Sequence, residues 1–438
     1  MRNFCFRVLK YTTACCALVI CHMGTAGEVP VAIDQTGVST RYVQASADDR
    51  SIDVPFQHDG QIVAWAPETA FGAHPRLSCC GVLARPPSWG QLDFLLWWRS
   101  PYHLPPLVTS SPVGTPVDQA GQLNQPTTTR LLGGHSLANG PNAGGRIDFG
   151  YWLDTHQQLG IGGSFLALGQ SHLEFATDSS THAILTRPFN NVSAGQAPLA
   201  DALLIAFPDE STGRVDVRGS SRLMVAEGYL RQSWYDDVVT NIDLVAGYQF
   251  SRIDESLLIT SQSTISSTSN LRPPGTTLDV RDSFVTRNEF HGGLIGFLTD
   301  WRFHCLTVTG SVKVGLGNMR QRAAISGQTV IGDSVTSFTD PQGLLARNTN
   351  HGSHQRNVFT VVPQFGLRSA YAVSDGFDVT LGYSLILWSH VLQPANQIDS
   401  DLAVNLSDPL SGASRPEFTF KSNDYWVQGM TLGVRWSY

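Results

Sequence analysis

The feature that most constrains this chain is an alternation of apolar and polar residues along extended segments. In "GGRIDFGYWLD" one face carries Ile147, Phe149, Tyr151 and Leu153. The closing segment, "WVQGMTLGVRWSY", alternates in the same way from Trp426 onward. Because successive side chains of a β-strand point to opposite faces, this period predicts strands that separate two different environments.

Ten segments show the pattern, and each is long enough for a tilted transmembrane strand, which needs about nine to eleven residues. They span residues 89–98, 144–154, 159–169, 221–235, 239–253, 284–299, 303–317, 358–372, 376–388 and 425–438. Strands of soluble proteins average about five to six residues. The lengths therefore favour an all-β, membrane-spanning structure.

The connections between these segments alternate in length. "THQQ", "DDV", "DW" and "VSDG" are short, whereas the other five connections are each roughly thirty to fifty residues long. Outer-membrane barrels have tight periplasmic turns and long extracellular loops. We therefore predict a transmembrane antiparallel up-and-down β-barrel of about ten strands, or twelve if part of 172–207 pairs into the wall.

The N-terminus indicates a secretory signal peptide over residues 1–26. Arg2, Arg7 and Lys10 precede the apolar run "YTTACCALVICHM", and Ala26 is a small residue suited to cleavage. A membrane-anchor helix is the alternative, but the run falls short of the roughly twenty residues that a helical span needs.

The rest of the chain divides into two parts. Residues 27–88 are irregular and rich in Asp, Gly, Ala and Pro, which predicts a periplasmic lead-in, and residues 89–438 hold the barrel. No stretch after the signal reaches the length of apolar sequence that a helical span requires.

Composition argues against several function classes. Only 15% of the residues are charged and the net charge of -7 includes no basic block, so we expect no nucleic-acid binding. No phosphate-binding loop, nucleophile–base motif or set of metal ligands is evident. We therefore expect a protein that is not an enzyme and binds no cofactor and no metal.

Three cysteines follow the predicted signal: Cys79, Cys80 and Cys305. Adjacent cysteines rarely bridge each other without strain, and three thiols do not make a zinc site. The sequence therefore predicts no disulfide framework and leaves the roles of these three residues open.

Tryptophans bracket the first and last strands. Trp89 and Trp98 flank the first, and Trp426 and Trp436 the last, at a spacing that fits the two membrane interfaces. The alternative places them in the core of a β-sandwich. The final aromatic residue, Tyr438, resembles the signal by which outer-membrane proteins are recognised, so we expect outer-membrane lipid and the barrel-assembly machinery as partners.

Four stretches carry a family resemblance: "QLDFLLWWRSPYHLPPLVTSSP", "LLGG" with "GGRIDFGYWLD", "TRNEFHGGLIGF" and "YWVQGMTLGVRW". Together they resemble putative beta-barrel porin family 7 over roughly residues 89–438. The resemblance implies an outer-membrane barrel of a double-membraned bacterium, with a transport role inferred from the fold and no catalytic residues.

The polar face of the strands is predicted to line the lumen. These lumen candidates are Asp93, Arg146, Asp148, Glu227, Arg231, Asp243, Glu289, His291, Lys313, Arg368, Asp378 and Arg435. The predicted lipid-facing residues are Leu92, Phe94, Leu96, Phe149, Leu244, Leu294, Val312, Phe365, Leu381 and Leu432. In "QLDFLLWW", Leu95 and Trp97 break the alternation, and we expect them to fill the lumen or pack under the first long loop.

Ten strands enclose a narrow lumen, and charges of both signs in a tight space favour mutual ion pairs over a free aqueous path. A closed or very narrow barrel with a structural or surface role is therefore the favoured interpretation, ahead of an open channel for small solutes. The oligomeric state stays open.

Two rival functions belong to other classes. A surface enzyme of the ten-stranded, protease-like type would use rim-loop residues, for which the candidates are Asp399 with Asp401 and His351 with His354. A secreted soluble β binding protein is the third alternative.

Overall fold

The computed structural model describes residues 87–137, 140–193, 198–266, 273–333, 335–404 and 414–437. The predicted signal peptide, the lead-in up to residue 86 and Tyr438 lie outside these ranges.

The described chain is built almost entirely from strands. The first nine are β1 (Ser88–Arg99), β2 (Tyr102–His103), β3 (Val108–Ser110), β4 (Thr129–Leu132), β5 (Ser136–Leu137), β6 (Asn142–Trp152), β7 (Leu159–Asp178), β8 (Leu185–Asn191) and β9 (Leu199–Ala206). The remaining nine are β10 (Ser211–Asp236), β11 (Thr240–Ile265), β12 (Thr277–Phe303), β13 (Leu306–Gly332), β14 (Ser337–Asp340), β15 (Gly352–Ser374), β16 (Phe377–Leu392), β17 (Asp401–Leu402) and β18 (Ser422–Ser437). A short 3-10 helix covers Pro394–Gln397.

Ten strands form a closed antiparallel ring, as the sequence predicts. Their order is β1, β6, β7, β10, β11, β12, β13, β15, β16 and β18, and β18 pairs back onto β1. Because β18 pairs with β1, every strand of the lower ring has a neighbour on both sides, which a membrane requires because hydrocarbon cannot satisfy backbone polar groups. Among the described residues, no helix has the length and hydropathy needed to cross a membrane.

The short turns lie at one end of the barrel, after β6, β10, β12 and β15. Three of the four predicted turns are confirmed, but the turn placed at "DW" is wrong, because β12 continues to Phe303 and turns at His304. In the first turn, hydrogen bonds from the backbone amides of Leu159 and Gln158 lower the pKa of Asp154.

The wall extends much farther on the opposite side than predicted. β10 to β13 contain 26 or 27 residues each. At about 3.3 Å per residue such strands are roughly 85 Å long, whereas the apolar band of an outer-membrane barrel is about 25 Å tall. Much of the sequence assigned to long loops is therefore strand, and the connection from β11 to β12 is reduced to 266–276.

The twelve-strand alternative is not what the structure shows. Residues 172–178 extend β7 upward, whereas β8 and β9 belong to a separate five-stranded sheet with β3, β4 and β17. This loop sheet joins segments from three long loops, because β3 and β4 come from the first, β8 and β9 from the second and β17 from the fifth.

The outer face of the lower barrel is apolar. Leu92, Phe94 and Leu381 are more than half exposed, and all but one of the predicted lipid-facing residues lie on this face. The exception is Leu294, which is buried inside the barrel.

The bracketing tryptophans divide between the two faces. Trp98, Trp426 and Trp436 alternate with buried residues and lie on the outer face, with Trp436 packed over Gly90. Trp89 points inward, so its predicted place at the lipid interface is wrong.

Candidate functional site

The lumen near the short-turn end is lined by charged side chains. They project there because each occupies the inward parity of its strand, opposite the apolar residues that meet lipid. Of the twelve predicted lumen residues, the structure places ten on this inner wall: Asp93, Arg146, Asp148, Glu227, Arg231, Asp243, Lys313, Arg368, Asp378 and Arg435.

Asp93 is the centre of the first cluster and is buried. Its Oδ2 accepts hydrogen bonds from Arg146 Nε at 2.9 Å and from Arg146 Nη2 at 2.6 Å, and Arg368 Nη2 lies at 3.3 Å. Gln91 donates from Nε2 to Asp93 Oδ1 at 2.6 Å and accepts from Arg368 Nη1 at 2.6 Å. Asp148 lies 3.4 Å from Arg146 and 3.5 Å from Arg368, so two carboxylates balance two guanidinium groups.

Arg231 is the centre of the second cluster. It donates from Nε to Asp243 Oδ2 at 2.6 Å, and its Nη2 lies 3.5 Å from Asp300 Oδ2. The guanidinium carbon also sits 5.1 Å from the ring centroid of Trp89 and 5.2 Å from that of Trp152. Ion pairing and aromatic stacking together fix this side chain in one orientation.

Two further pairs complete the charged zone. Lys313 Nζ donates a hydrogen bond to Glu227 Oε2. The other carboxylate oxygen of Glu227 accepts a hydrogen bond from Gln364 Nε2 at 2.6 Å. Arg435 donates from Nε to Asp378 Oδ2 at 2.7 Å. All ten inward candidates are thus engaged in ion pairs with one another or with Asp300.

Seven of these ten side chains line a cavity of about 870 Å³ at the short-turn end of the barrel. Trp89, Trp152, Val238 and Arg302 line it near the turns, whereas Leu166 and other apolar residues form its inner limit. The cavity is therefore polar along its wall and apolar at its roof.

Above the cavity the lumen is filled by apolar side chains. Nine of the ten barrel strands contribute to this apolar layer, which consists of Leu95, Trp97, Leu166, Leu168, Leu223, Val225, Ile253, Phe290, Met319, Val362, Ile386, Trp388, Val391, Tyr425 and Val427. Trp388 crosses the lumen and donates from Nε1 to Ser251 Oγ at 2.8 Å. Leu95 and Trp97, which break the alternation of the first strand, are fully buried here.

A second apolar cluster closes the opposite end. Upper-wall residues such as Val217, Ile259 and Phe284 pack against Leu185 and Leu107 from the loops. The long loops therefore fold down on the upper barrel.

The predicted inward orientation of Glu289 and His291 is wrong. Both lie on the outer surface of β12, where His291 Nδ1 contacts Tyr248 Oη at 2.5 Å, while their neighbours Asn288 and Phe290 are fully buried. The sequence "TRNEFHGGLIGF" carries apolar residues on both parities, and at this height the inward face is the apolar one. The same reversal explains the error at Leu294.

Sequence reasoning missed several residues of the cavity. Asp300 falls in the predicted "DW" turn and Trp89 at the predicted lipid interface, and neither Tyr229 nor Gln364 is among the predicted lumen residues. Asp300 keeps the inward parity of Leu298, so extending β12 by four residues would have identified it.

The rim-loop residues considered for an enzyme are held in loop structure. Asp399 Oδ2 accepts from Arg415 Nη1 at 2.9 Å and from the backbone amide of Glu417 at 2.8 Å. Asp401 Oδ1 accepts from Asn190 Nδ2 at 3.0 Å. His354 stacks on Phe418 at a centroid distance of 3.8 Å, whereas its neighbour His351 is exposed.

Cys305, whose role the sequence leaves open, is disulfide-bonded. Cys79 and Cys80 lie outside the described residues. In the part of the chain that the structure describes, no group of three His, Cys, Asp or Glu side chains is arranged to hold a metal ion.

A family model described as Putative beta barrel porin-7 matches residues 89–438. The chain belongs to this family. The match confirms the resemblance seen in the sequence, and with the closed ring of strands it identifies an outer-membrane β-barrel of the beta barrel porin-7 family.

The chain also has weak similarity to solved structures. The outer membrane protease OmpT from Escherichia coli is 10% identical, with 82% of this chain and 99% of that chain covered and a TM-score of 0.38. A Pseudomonas aeruginosa FadL homologue is 6% identical, with 80% of this chain and 90% of that chain covered and a TM-score of 0.18. These values support no transfer of activity. No curated protein matches the chain.

Proposed function

We propose that this member of the beta barrel porin-7 family is a closed barrel that does not conduct solutes and instead presents a folded loop sheet at the cell surface. The observation that carries the proposal is the apolar layer, in which buried Trp97, Phe290 and Trp388 fill the middle of the lumen. A channel for small solutes would need these side chains to part.

The energetics support closure. An ion crossing the layer would lose its hydration against Trp97, Phe290 and Trp388, and apolar constrictions exclude water. The charges below the layer offer no continuous path either, because they pair with one another across the lumen. Because positive and negative charges are nearly balanced, the lumen also has no ring of one charge that could select ions.

Planar-bilayer conductance of the refolded protein tests this proposal. We expect no conductance steps from the wild type, and steps from a Trp97→Ala/Trp388→Ala variant, whose insertion is checked by detergent gel mobility. Trp234→Ala is the matched control, because Trp234 is 70% exposed on the outside and contributes nothing to the layer. Steps of stable size from the wild type would overturn the proposal.

We further expect no hydrolytic activity. Asp399 and Asp401 are committed to hydrogen bonds that order the fifth loop, which argues against their activating water. Incubation of intact cells with basic peptides, with and without the protein, checks this, and cleavage that depends on Asp399 would favour the enzyme alternative.

A further inference from the structure

The outer surface of β10 to β13 carries a band of arginines that the closed-barrel proposal does not use. We name this set the arginine belt, and its members are Arg222, Arg252, Arg287, Arg320 and Arg322. They occupy two adjacent cross-strand rows. Arg252, Glu289 and Arg320 are in register in the lower row. In the upper row Arg222, Asp254, Arg287 and Arg322 are in register.

The rows that flank the belt locate it relative to the membrane. Two residues below, toward the short turns, the same row carries Phe250 and Phe359 with His291 and Asn318 between them. Further down, Val312 and Ile295 are about half exposed. Two residues above, the face carries small or apolar side chains such as Ser256 and Ala324 instead of arginine. The belt therefore lies where the apolar band ends, on the side of the long loops.

The belt has more positive than negative charge. Five arginines face two carboxylates, Asp254 and Glu289, which leaves a formal charge of +3. Asp254 is already shared between Arg252 at 2.7 Å and Arg287 at 2.9 Å. In the described part of the chain, no carboxylate lies within ion-pair distance of Arg222, Arg320 or Arg322.

The partners of these three arginines are neutral amides. Arg222 donates from Nη2 to Gln170 Oε1 at 2.7 Å. Arg320 and Arg322 donate to the same Gln355 Oε1, at 3.1 Å and 3.3 Å. Each guanidinium group has five N–H donors, so most of these donors make no hydrogen bond within the described chain.

Two of the belt residues oppose each other directly. Arg287 and Arg322 are in register on neighbouring strands, and like charges in that position destabilise a sheet. An anion bound between them would remove this repulsion. A phosphate oxygen suits the purpose, since guanidinium and phosphate groups form two parallel hydrogen bonds.

We infer that the arginine belt binds the phosphate groups of anionic lipid in the outer leaflet of the membrane. Position selects lipid over a soluble anion, because the belt lies at the upper edge of the lipid-facing surface rather than in a loop or cavity. The inference is independent of whether the lumen conducts.

The test compares a triple variant, Arg222→Gln/Arg320→Gln/Arg322→Gln, with the wild type in phosphatidylcholine vesicles with and without phosphatidic acid. We expect phosphatidic acid to slow unfolding of the wild type and to have little effect on the triple variant. The apparent affinity of phosphatidic acid for the variant should be about a hundredfold lower than for the wild type. This factor follows from the loss of three arginines near an anionic surface. Both proteins should unfold alike in phosphatidylcholine alone.

The matched control is Arg218→Gln/Arg281→Gln, which removes two exposed arginines higher on the same face. It should respond to phosphatidic acid like the wild type. An equal response of the triple variant and the wild type would overturn the inference. If inorganic phosphate at equal concentration slowed unfolding as much as phosphatidic acid does, the assignment to lipid would be wrong. Should the triple variant fold poorly, the single Arg322→Gln variant in the same assay decides the question.

Discussion

At the scale of single residues, the lumen shows how a buried carboxylate can be stable inside a membrane protein. Asp93 is fully enclosed, yet it accepts hydrogen bonds from Arg146 and Gln91 and lies within ion-pair distance of Arg368. A buried charge is costly unless it is paired and hydrogen-bonded. The sequence predicts that these residues face inward, but their grouping depends on strand register, since Asp93 and Arg368 come from opposite ends of the barrel sequence.

Replacing Asp93 with asparagine should destabilise the barrel by about 3 to 5 kcal/mol, because two guanidinium groups would then share only Asp148. The free energy of unfolding in denaturant, measured in lipid vesicles, checks this. The control is Arg214→Gln, which breaks an exposed pair with Asp216 and should cost no more than about 1 kcal/mol. Equal effects of the two changes would mean that the lumen network adds little stability.

On the outer face, Leu381 tests the assignment of parity. Its side chain is 53% exposed on the lipid-facing surface, and Leu381→Arg should cost about 2 to 4 kcal/mol near the middle of the membrane. Denaturant unfolding in vesicles gives the value. Val335→Arg, at a loop position that is 86% exposed, should be neutral. Unchanged stability of Leu381→Arg would show that this face does not meet lipid.

At the scale of elements, one carboxylate connects two long loops to the upper wall. Asp282 of β12 pairs with Arg187 of β8 at 2.5 Å and also accepts hydrogen bonds from the backbone amides of Leu345 and Ala346, at 2.8 Å each. The loop segment 343–346 and strand β8 are thereby held against the barrel. The local sequence does not predict these contacts, because the three segments are far apart along the chain.

Arg187→Met should release β8 and β9 from the wall, because Asp282 would lose the only ion pair that it makes in the described chain. Breaking a buried pair typically costs about 3 to 5 kcal/mol, which should shift the loop sheet toward locally open states. Limited proteolysis of the intact barrel should then cut within 185–206 faster than in the wild type. Arg415→Met, in the half-exposed pair with Asp399, is the control and should leave that region resistant. Equal resistance of both variants would contradict the role of Asp282.

At the scale of the whole molecule, closure of the ring is what makes the fold cooperative. Each strand is paired on both sides, and β1 is satisfied only when β18, the last strand of the chain, lies beside it. Unpaired backbone groups in hydrocarbon cost several kcal/mol each, so a partly closed ring is not a stable state.

Ring closure predicts the behaviour of the protein in detergent. The unheated protein should migrate faster on a gel than the boiled protein, since the closed barrel stays compact, and only detergent should extract it from membranes. Release into the medium without detergent, with a single gel mobility, would favour the secreted soluble alternative.

The sequence by itself determined the number of barrel strands, their order and, except at the turn after β12, their lower ends, because side-chain alternation and turn chemistry are local properties. It also determined the inward direction of Asp93, Arg146 and most of the other lumen charges. The predicted orientations of Glu289, His291 and Leu294 are wrong, because they assume that the inward face of the wall is polar at every height. Only the closed ring brings apolar side chains from nine strands into contact at mid-lumen, so at that level the inside is the more apolar side. The tertiary structure alone likewise decided the height of the wall, the loop sheet and the arginine belt, since each arises from register between strands rather than from the order of residues within one.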